Sequence, residues 1–182
     1  VGEHLGHHYF SMELIEGPTL REALTTRRRE NDQWSPTTSV RLISTLARAV
    51  HYAHQRGVLH RDLKPGNVVL GRFGETLVVD WGLAKALGKT EHADASLPPV
   101  IPSTESGSAP TLLGSAIGTP AFMSPEQASG KLEVLGPATD VYSLGATLYA
   151  VLTNRAPFEG KLAEILEKVR QGQWTPPGQL NP

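Results

Sequence analysis

The stretch "VLHRDLKPGN" (Val58–Asn67) places five polar side chains between two apolar segments. An imidazole, a guanidinium, a carboxylate, an ammonium group and a carboxamide follow Val58-Leu59 and precede Val68-Val69-Leu70. Charged groups held between buried segments cost free energy unless they are paired or used. The stretch therefore indicates a chemical site on a short loop between buried elements.

Four side chains in and after this loop carry complementary chemistry. Asp62 can accept a proton or orient a hydroxyl, and Lys64 offers a compact positive charge to an anionic group. Asn67 and Asp80 supply hard oxygens, which suit Mg²⁺ better than a soft metal. A base, a cation and two oxygen ligands are the components of phosphoryl transfer, in which catalysis is mainly positioning and charge neutralisation.

The composition excludes several other functions. The chain has 182 residues, of which 39% are hydrophobic and 19% charged, as in an ordinary globular domain. Its net charge of −1 gives no general electrostatic reason to expect nucleic acid or an anionic membrane as partner. The chain has no cysteine, which excludes disulfides and fits a reducing compartment, and we expect a cytoplasmic location. The longest apolar stretch, Val141–Leu152, is too short to span a bilayer and predicts a buried helix.

The first third of the chain predicts one strand and two helices. Residues 1–8 are predicted to form a polar turn, and Tyr9–Ile15 reads as an apolar strand. Thr19 is a candidate cap for a helix, and Ser35-Pro36 begins a second helix that Gly57 ends. The positions that recur at three- and four-residue steps in this second helix are Val40, Ile43, Ala47, Val50 and His54.

The rest of the chain predicts a hairpin, a long loop and two more helices. Residues 68–70 and 76–79 are two short apolar runs joined by a turn that contains Gly71 and Gly74, which is typical of a hairpin. Residues 86–117 are rich in Ser, Thr, Pro, Ala and Gly without a sustained period, so a disordered loop is expected. Helices are predicted over about 139–152 and 162–171.

Four motifs in order resemble those of eukaryotic-type protein kinases. "HRDLKPGN" (His60–Asn67) and "DWG" (Asp80–Gly82) are similar to the catalytic and magnesium loops. "GTPAFMSPE" (Gly118–Glu126) and "DVYSLG" (Asp140–Gly145) are similar to the end of the activation segment and a buried helix. Lys64 resembles the serine/threonine branch, and the sequences "SPEQA" and "DWGLAK" resemble bacterial members.

The resemblance implies a role for each catalytic and metal-binding candidate. Asp62 would be the base for the substrate hydroxyl, and Lys64 would contact the transferring phosphate. Thr119 would lie between them and favour Ser/Thr substrates. Asn67 and Asp80 would hold Mg²⁺.

The resemblance also implies a nucleotide site for ATP, with "SMELIEG" as the last strand of the small lobe and the hinge. Met12 would control the depth of the pocket, and the backbones of Glu13 and Ile15 would hydrogen-bond adenine. Thr19 would lie near the ribose, and Val69 would lie beneath the ring.

Further residues are implied to support or regulate the site. Asp140 would brace the catalytic loop, and His60 would stack with Trp81, which stands where most relatives carry Phe. Arg61 directly precedes the catalytic Asp62, as in kinases that are switched by phosphorylation of the activation loop. The phosphosites predicted on this basis are Thr111 and Ser115.

The implied fold class is α+β and protein-kinase-like. Residues 1–18 would be the end of the small lobe and the hinge, and residues 19–182 the helical large lobe, with the insert at about 86–117. The glycine-rich phosphate loop and its lysine and glutamate are not found, so a partial domain with the small lobe largely absent is expected. Protein substrates are the expected partners, dimerisation of the parent protein is left open, and a membrane anchor would lie outside this chain.

Two other functions remain open on the sequence. A small-molecule phosphotransferase would share the Asp and Asn of the loop and a later Asp, but Arg61, Lys64 and residues 118–126 argue against it. A catalytically inactive binding or scaffold module would not need Asp62, Lys64, Asn67 and Asp80 together.

Overall fold

The computed structural model describes residues 2–4, 7–9, 13–81, 85–86 and 119–180. Within these ranges, three 3₁₀ turns join longer elements: Pro65–Asn67, Pro120–Phe122 and Leu132–Val134. The described helices are α1 (Leu20–Glu30), α2 (Pro36–His54), α3 (Pro125–Ala128), α4 (Pro137–Thr153), α5 (Leu162–Gln171) and α6 (Pro177–Leu180). The described strands are β1 (Gly2–His4), β2 (His7–Tyr9), β3 (Val58–Leu59), β4 (Val68–Leu70), β5 (Thr76–Val78) and β6 (Lys85–Ala86).

Local capping explains where the first two helices begin. The Thr19 hydroxyl accepts a hydrogen bond from the Glu22 amide at 3.2 Å, and the Glu22 carboxylate accepts one from the Thr19 amide at 2.7 Å. The Ser35 hydroxyl accepts from the Thr38 amide at 3.1 Å, and Pro36 occupies the first helical position. Side-chain caps satisfy amides that a helix leaves without partners at its start, so both starts follow from nearby sequence.

The buried face of α2 differs from the predicted one. Val40 was expected on the core face, but it is 63% exposed. Ile43 and Ala47 are half-buried and flank the core, whereas Val50 is buried as expected. The buried positions of α2 are Ser39, Leu42, Leu46 and Val50. Two offset apolar stripes run along α2, and packing against α4 decides which one faces inward.

The main core joins the first two helices, the loop and α4. Leu63 from the loop and Leu144 from α4 are buried beside side chains of α1 and α2. A smaller cluster of Ala128, Phe158 and Val169 packs α5 against α3, with Ile165 and Leu166 alongside. The loop between β3 and β4 is therefore held on a rigid helical base.

The strands of the described residues form three separate antiparallel pairs. β4 and β5 make the predicted hairpin, with Val69 opposite Leu77. β3 pairs with β6, which the sequence did not predict. β1 and β2 also pair, so the prediction of a polar turn over residues 1–8 was wrong. A strand was predicted over Tyr9–Ile15. Of the described residues in this range, Tyr9 ends β2, whereas residues 13–15 have no strand structure.

The segment before α1 lies close against the end of β4. The Leu70 amide donates to the Pro18 carbonyl at 2.9 Å, and Thr19 forms a β-bridge with Val69. Gly17 has φ 145°, and a Cβ atom added there would lie 2.2 Å from the Leu70 carbonyl oxygen. Both the backbone conformation and the space therefore require glycine at this position.

Gly17→Ala is expected to lower the free energy of unfolding by about 1–3 kcal/mol, because the methyl group forces a strained backbone away from Leu70. Chemical denaturation of both proteins measures the change. The control is Gly145→Ala in α4, where an added Cβ meets no atom within 4 Å. That change should leave stability equal or raise it by up to about 1 kcal/mol. Equal destabilisation by both substitutions would contradict the close approach at Gly17.

None of the helices that the structure describes combines the length and the apolar character needed to cross a bilayer.

Candidate active site

The loop between β3 and β4 buries its polar residues. Five residues between Val58 and Asn67 have charged or polar side chains, and none of them is more than 8% exposed. Buried polar groups must be paired to be tolerated, so their partners reveal how the loop is built. These five residues are His60, Arg61, Asp62, Lys64 and Asn67.

The Asp62 carboxylate is the centre of a hydrogen-bond network. Lys64 Nζ donates to Asp62 Oδ2 at 2.8 Å, and the Thr119 amide donates to Asp62 Oδ1 at 2.8 Å. Asn67 Nδ2 donates to the Asp62 carbonyl at 2.9 Å and to Oδ2 at 3.2 Å. Donors from three directions hold the carboxylate in one orientation.

Thr119 reaches this network from a distant part of the chain. Lys64 Nζ donates to the Thr119 hydroxyl at 2.6 Å, so the threonine lies between Asp62 and Lys64. A hydroxyl group is thus held within reach of a carboxylate and an ammonium group. This is the environment that a hydroxyl acceptor for phosphate would need.

Asp140 supports the loop from α4. It is fully buried, and its carboxylate accepts from the His60 amide at 2.9 Å and the Arg61 amide at 2.8 Å. His54 Nε2 lies 2.7 Å from the same carboxylate. Gln127 Nε2 donates to the Arg61 carbonyl at 2.7 Å, a support that the sequence gave no reason to expect. Arg61 has φ 69°, and these bonds hold it in that uncommon conformation.

The backbone directly after β5 links Asn67 to the residue that precedes Asp80. The Val79 amide donates to the Asn67 carbonyl at 2.9 Å, and Asp80 follows directly, exposed and with φ 62°. Because Asn67 donates through Nδ2, its Oδ1 atom is the one suited to a metal. Among the described residues no group of three or more His, Cys, Asp or Glu side chains could hold a metal. Mg²⁺ at phosphate sites needs only one or two protein oxygens, so this pair fits it.

His60 and Trp81 are in contact, as the resemblance implied. Their ring centroids are 4.6 Å apart and the rings are tilted by 52°. Trp81 Nε1 donates to the Val78 carbonyl at 3.1 Å, and His60 Nε2 lies 3.1 Å from the Val79 carbonyl. Trp81 remains 36% exposed, so its ring covers the histidine while keeping an accessible face.

The predicted nucleotide-site residues are only partly brought together. Thr19 and Val69 are paired by their β-bridge. Glu13 is exposed and Ile15 half-buried on the extended segment that leads to Thr19. Met12 lies outside the described residues, as do Thr111, Ser115 and most of the predicted insert at 86–117.

Comparison with known proteins identifies the fold. The family model of the protein kinase domain matches residues 3–176. The chain belongs to the protein kinase family. The predicted α+β, kinase-like fold class is therefore confirmed.

Three curated relatives of this kinase domain come from bacteria. It is 37% identical over 180 residues to the serine/threonine-protein kinase PknD of Protochlamydia amoebophila, covering 93% of this chain and 18% of that protein. It is 35% identical over 170 residues to a probable serine/threonine-protein kinase of Streptomyces coelicolor, covering 92% and 22%. It is 34% identical over 152 residues to PknB of Mycolicibacterium smegmatis, covering 84% and 21%. The chain thus spans about a fifth of the length of these relatives, and the predicted resemblance to bacterial kinases is confirmed.

Glu126 of this kinase domain is anchored to α4. The Thr139 hydroxyl donates to Glu126 Oε1 at 2.7 Å. Partial burial alone would raise the pKa of Glu126. Hydrogen bonds from Thr139, its own backbone and Ser124 outweigh that effect and hold the pKa below its ordinary value. The sequence predicted no partner for Glu126 within this chain.

Thr139→Val is expected to raise the pKa of Glu126 and to lower the free energy of unfolding at neutral pH by about 1 kcal/mol. A carboxyl whose folded pKa is depressed stabilises the fold above its unfolded pKa and loses this contribution as pH falls through the folded pKa. Carboxyl-carbon NMR titration measures the change. The control is Thr147→Val, whose hydroxyl donates to the Ser143 carbonyl of the same helix at 2.9 Å. An unchanged Glu126 titration in Thr139→Val would contradict the anchor.

Proposed function

We propose that this domain transfers the γ-phosphate of ATP to serine and threonine hydroxyls of protein substrates, with Mg²⁺. The observation that carries the proposal is the network in which Lys64 bonds to both Asp62 and Thr119. The network holds a base (Asp62), a cation (Lys64) and the Thr119 hydroxyl, which resembles an acceptor hydroxyl, in one buried site. The names of the bacterial relatives support the same activity.

The proposed mechanism assigns separate steps to the residues of the loop. Asp62 orients the acceptor hydroxyl and takes its proton as the hydroxyl oxygen bonds to the γ-phosphorus of ATP, while the bond from that phosphorus to the bridging oxygen breaks and ADP leaves. Lys64 lies beside the transferring group and stabilises its negative charge. Asn67 and Asp80 would hold Mg²⁺, which when bound neutralises phosphate charge. Thr119 holds Lys64 against Asp62 and shapes the site for Ser/Thr hydroxyls.

The ATP side of the proposal rests on the hinge segment. Thr19 and Val69, paired across the bridge, are proposed to contact the ribose and the base. The backbones of Glu13 and Ile15 are proposed to bond adenine, with Met12 controlling the depth of the pocket. The close fit of Gly17 against Leu70 supports a defined position for this segment.

Regulation by phosphorylation is part of the proposal. Arg61 is buried next to Asp62, and a phosphate on the activation segment would add charge that an arginine can pair with. The proposed sites are Thr111 and Ser115, and phosphopeptide mapping of the active protein would find them modified. A cytoplasmic location for the catalytic domain belongs to the same proposal.

The test is phosphorylation of generic protein substrates with Mg-ATP, using both the 182-residue chain and the full product of its gene. Phosphoserine and phosphothreonine without phosphotyrosine are expected, and chelation of Mg²⁺ should abolish the reaction. Phosphorylation of small-molecule alcohols in place of protein would favour a small-molecule phosphotransferase. Nucleotide binding without any transfer would favour a scaffold module.

A further inference from the structure

A cleft of about 420 Å³ opens directly beside the proposed transfer site. Lys64, Asn67 and Thr119 form one end of it. α1 supplies one wall, and the segment after α4 supplies another. A protein substrate whose acceptor hydroxyl lies at Asp62 could therefore place a neighbouring side chain in this cleft.

One face of α1 lines the cleft with two arginines. Arg21, Leu24, Thr25 and Arg28 follow the spacing of one helical face, and all four border the cleft. Arg21 and Arg28 are exposed, whereas Leu24 is buried in the core and anchors the face. Seven residues of helix separate the two arginines by about 10 Å, the length of about three residues of extended peptide.

The cleft carries an excess of positive charge. Arg155, exposed on the segment after α4, adds a third guanidinium group, against the single described carboxylate of Glu159. Lys64 is paired with Asp62 at the proposed transfer site, so the excess charge of the cleft is counted from the three arginines alone. Within the described residues, none of the three arginines makes a salt bridge.

Two other arginines of the chain, in contrast, form ion pairs with carboxylates. Arg27, adjacent to Arg28, bonds to Asp32, and Arg170 bonds to Glu167. As far as the described part of the chain shows, the arginines that face the cleft thus keep their donors available on the side where a substrate would lie. Arginine presents a planar fork of donors that matches carboxylate and phosphate groups.

We propose that this cleft binds an anionic side chain of the protein substrate, so that the domain selects Ser/Thr acceptors with negative charge nearby. The ligand chemistry is a carboxylate or a phosphate, from aspartate, glutamate or an already phosphorylated residue. This inference rests on the proposed protein kinase function. Positive charge at the cleft would raise both the association rate and the affinity of such substrates.

The experiment compares peptides of one threonine-containing scaffold whose flanking residues are alanine, aspartate, phosphoserine or lysine. Wild-type protein, Arg21→Glu/Arg28→Glu and the control Arg41→Glu/Arg48→Glu are assayed. The control residues are exposed on α2 outside the cleft, and the change in net charge is the same. Both kcat/KM with Mg-ATP and peptide Kd by fluorescence anisotropy without nucleotide are measured.

Wild-type protein should prefer the anionic peptides over the lysine peptide at least about tenfold, equal to ~1.4 kcal/mol. Arg21→Glu/Arg28→Glu should abolish this preference, and the control should keep it. Comparison of kcat/KM for the phosphoserine and aspartate peptides shows whether the cleft prefers an already phosphorylated residue or a carboxylate. In wild-type protein alone the preference should fall as salt is raised, which tests the inference even if the cleft variant is unstable.

A preference for basic peptides, no preference in wild-type protein, or equal losses in the cleft and control variants would each overturn the inference. Failure of the proposed function looks different. Phosphorylation would then be absent for every peptide, while anisotropy would still report whether anionic peptides bind through Arg21 and Arg28.

Discussion

Asp62→Asn is expected to lower the kcat of phosphoryl transfer by about 10²–10⁴-fold, the usual contribution of a positioned general base. The carboxamide keeps the size of the side chain but cannot take the proton of the acceptor hydroxyl. It also removes the charge to which Lys64 Nζ donates at 2.8 Å, so the ammonium group loses its fixed position. Both effects act on the chemical step, and binding of Mg-ATP should change far less than the rate.

The measurement is phosphate incorporation into protein at saturating ATP, with nucleotide binding measured in parallel. Asp32→Asn is the matched control, since this aspartate is on the surface, where it pairs with Arg27. Its kcat should stay within about twofold, as surface substitutions away from a site have small effects. If Asp62→Asn transfers phosphate at the wild-type rate with Mg-ATP bound, Asp62 is not the base and the proposed mechanism fails.

Asp140→Ala is expected to lower the free energy of unfolding by about 3–5 kcal/mol, the range seen when one partner of a buried charged network is removed. The substitution leaves the buried amides of His60 and Arg61 without their acceptor, and His54 without its partner. Unsatisfied buried donors carry the full cost of desolvation. A loss of this size is a large part of the stability of a typical domain.

Urea unfolding followed by circular dichroism measures the effect, with Asp32→Ala as the exposed control. That control should change the free energy of unfolding by about 0.5 kcal/mol or less. Asp140→Asn is the informative intermediate, because its carboxamide retains one oxygen to accept a hydrogen bond. Equal stabilities of Asp140→Ala and Asp32→Ala would show that the catalytic loop does not depend on α4.

The helix boundaries could largely be predicted because their signals are local. Thr19 and Ser35 cap the helices that follow them through hydrogen bonds to residues three positions away. The predicted helix 162–171 coincides with α5, whose apolar residues repeat at helical spacing. In α2 the start was correct but the buried face was not, since Val40 is exposed and Leu42 buried. The helical spacing of apolar residues does not specify which of two apolar stripes packs against the neighbouring helix.

Supports of the site from distant segments were predicted only where a motif implied them. The resemblance implied that Asp140 would brace the loop and that Thr119 would lie beside Lys64. Nothing in the sequence paired Gln127 with the Arg61 carbonyl or Thr139 with Glu126. Such bonds join elements whose relative position depends on the whole core.

The sequence by itself predicted the chemistry proposed for this domain: the groups between His60 and Asn67, with Asp80, suit phosphoryl transfer, and the motifs that contain them identified the family. Only the tertiary structure decided what surrounds that chemistry. Arg28 and Arg155 are far apart in the chain and, in sequence, look like ordinary solvated charges. Folding brings them to one cleft beside Thr119, because α1 and the end of α4 pack on the same core. The proposed reaction rests on a short local motif, whereas the proposed substrate preference rests on charges assembled from distant segments.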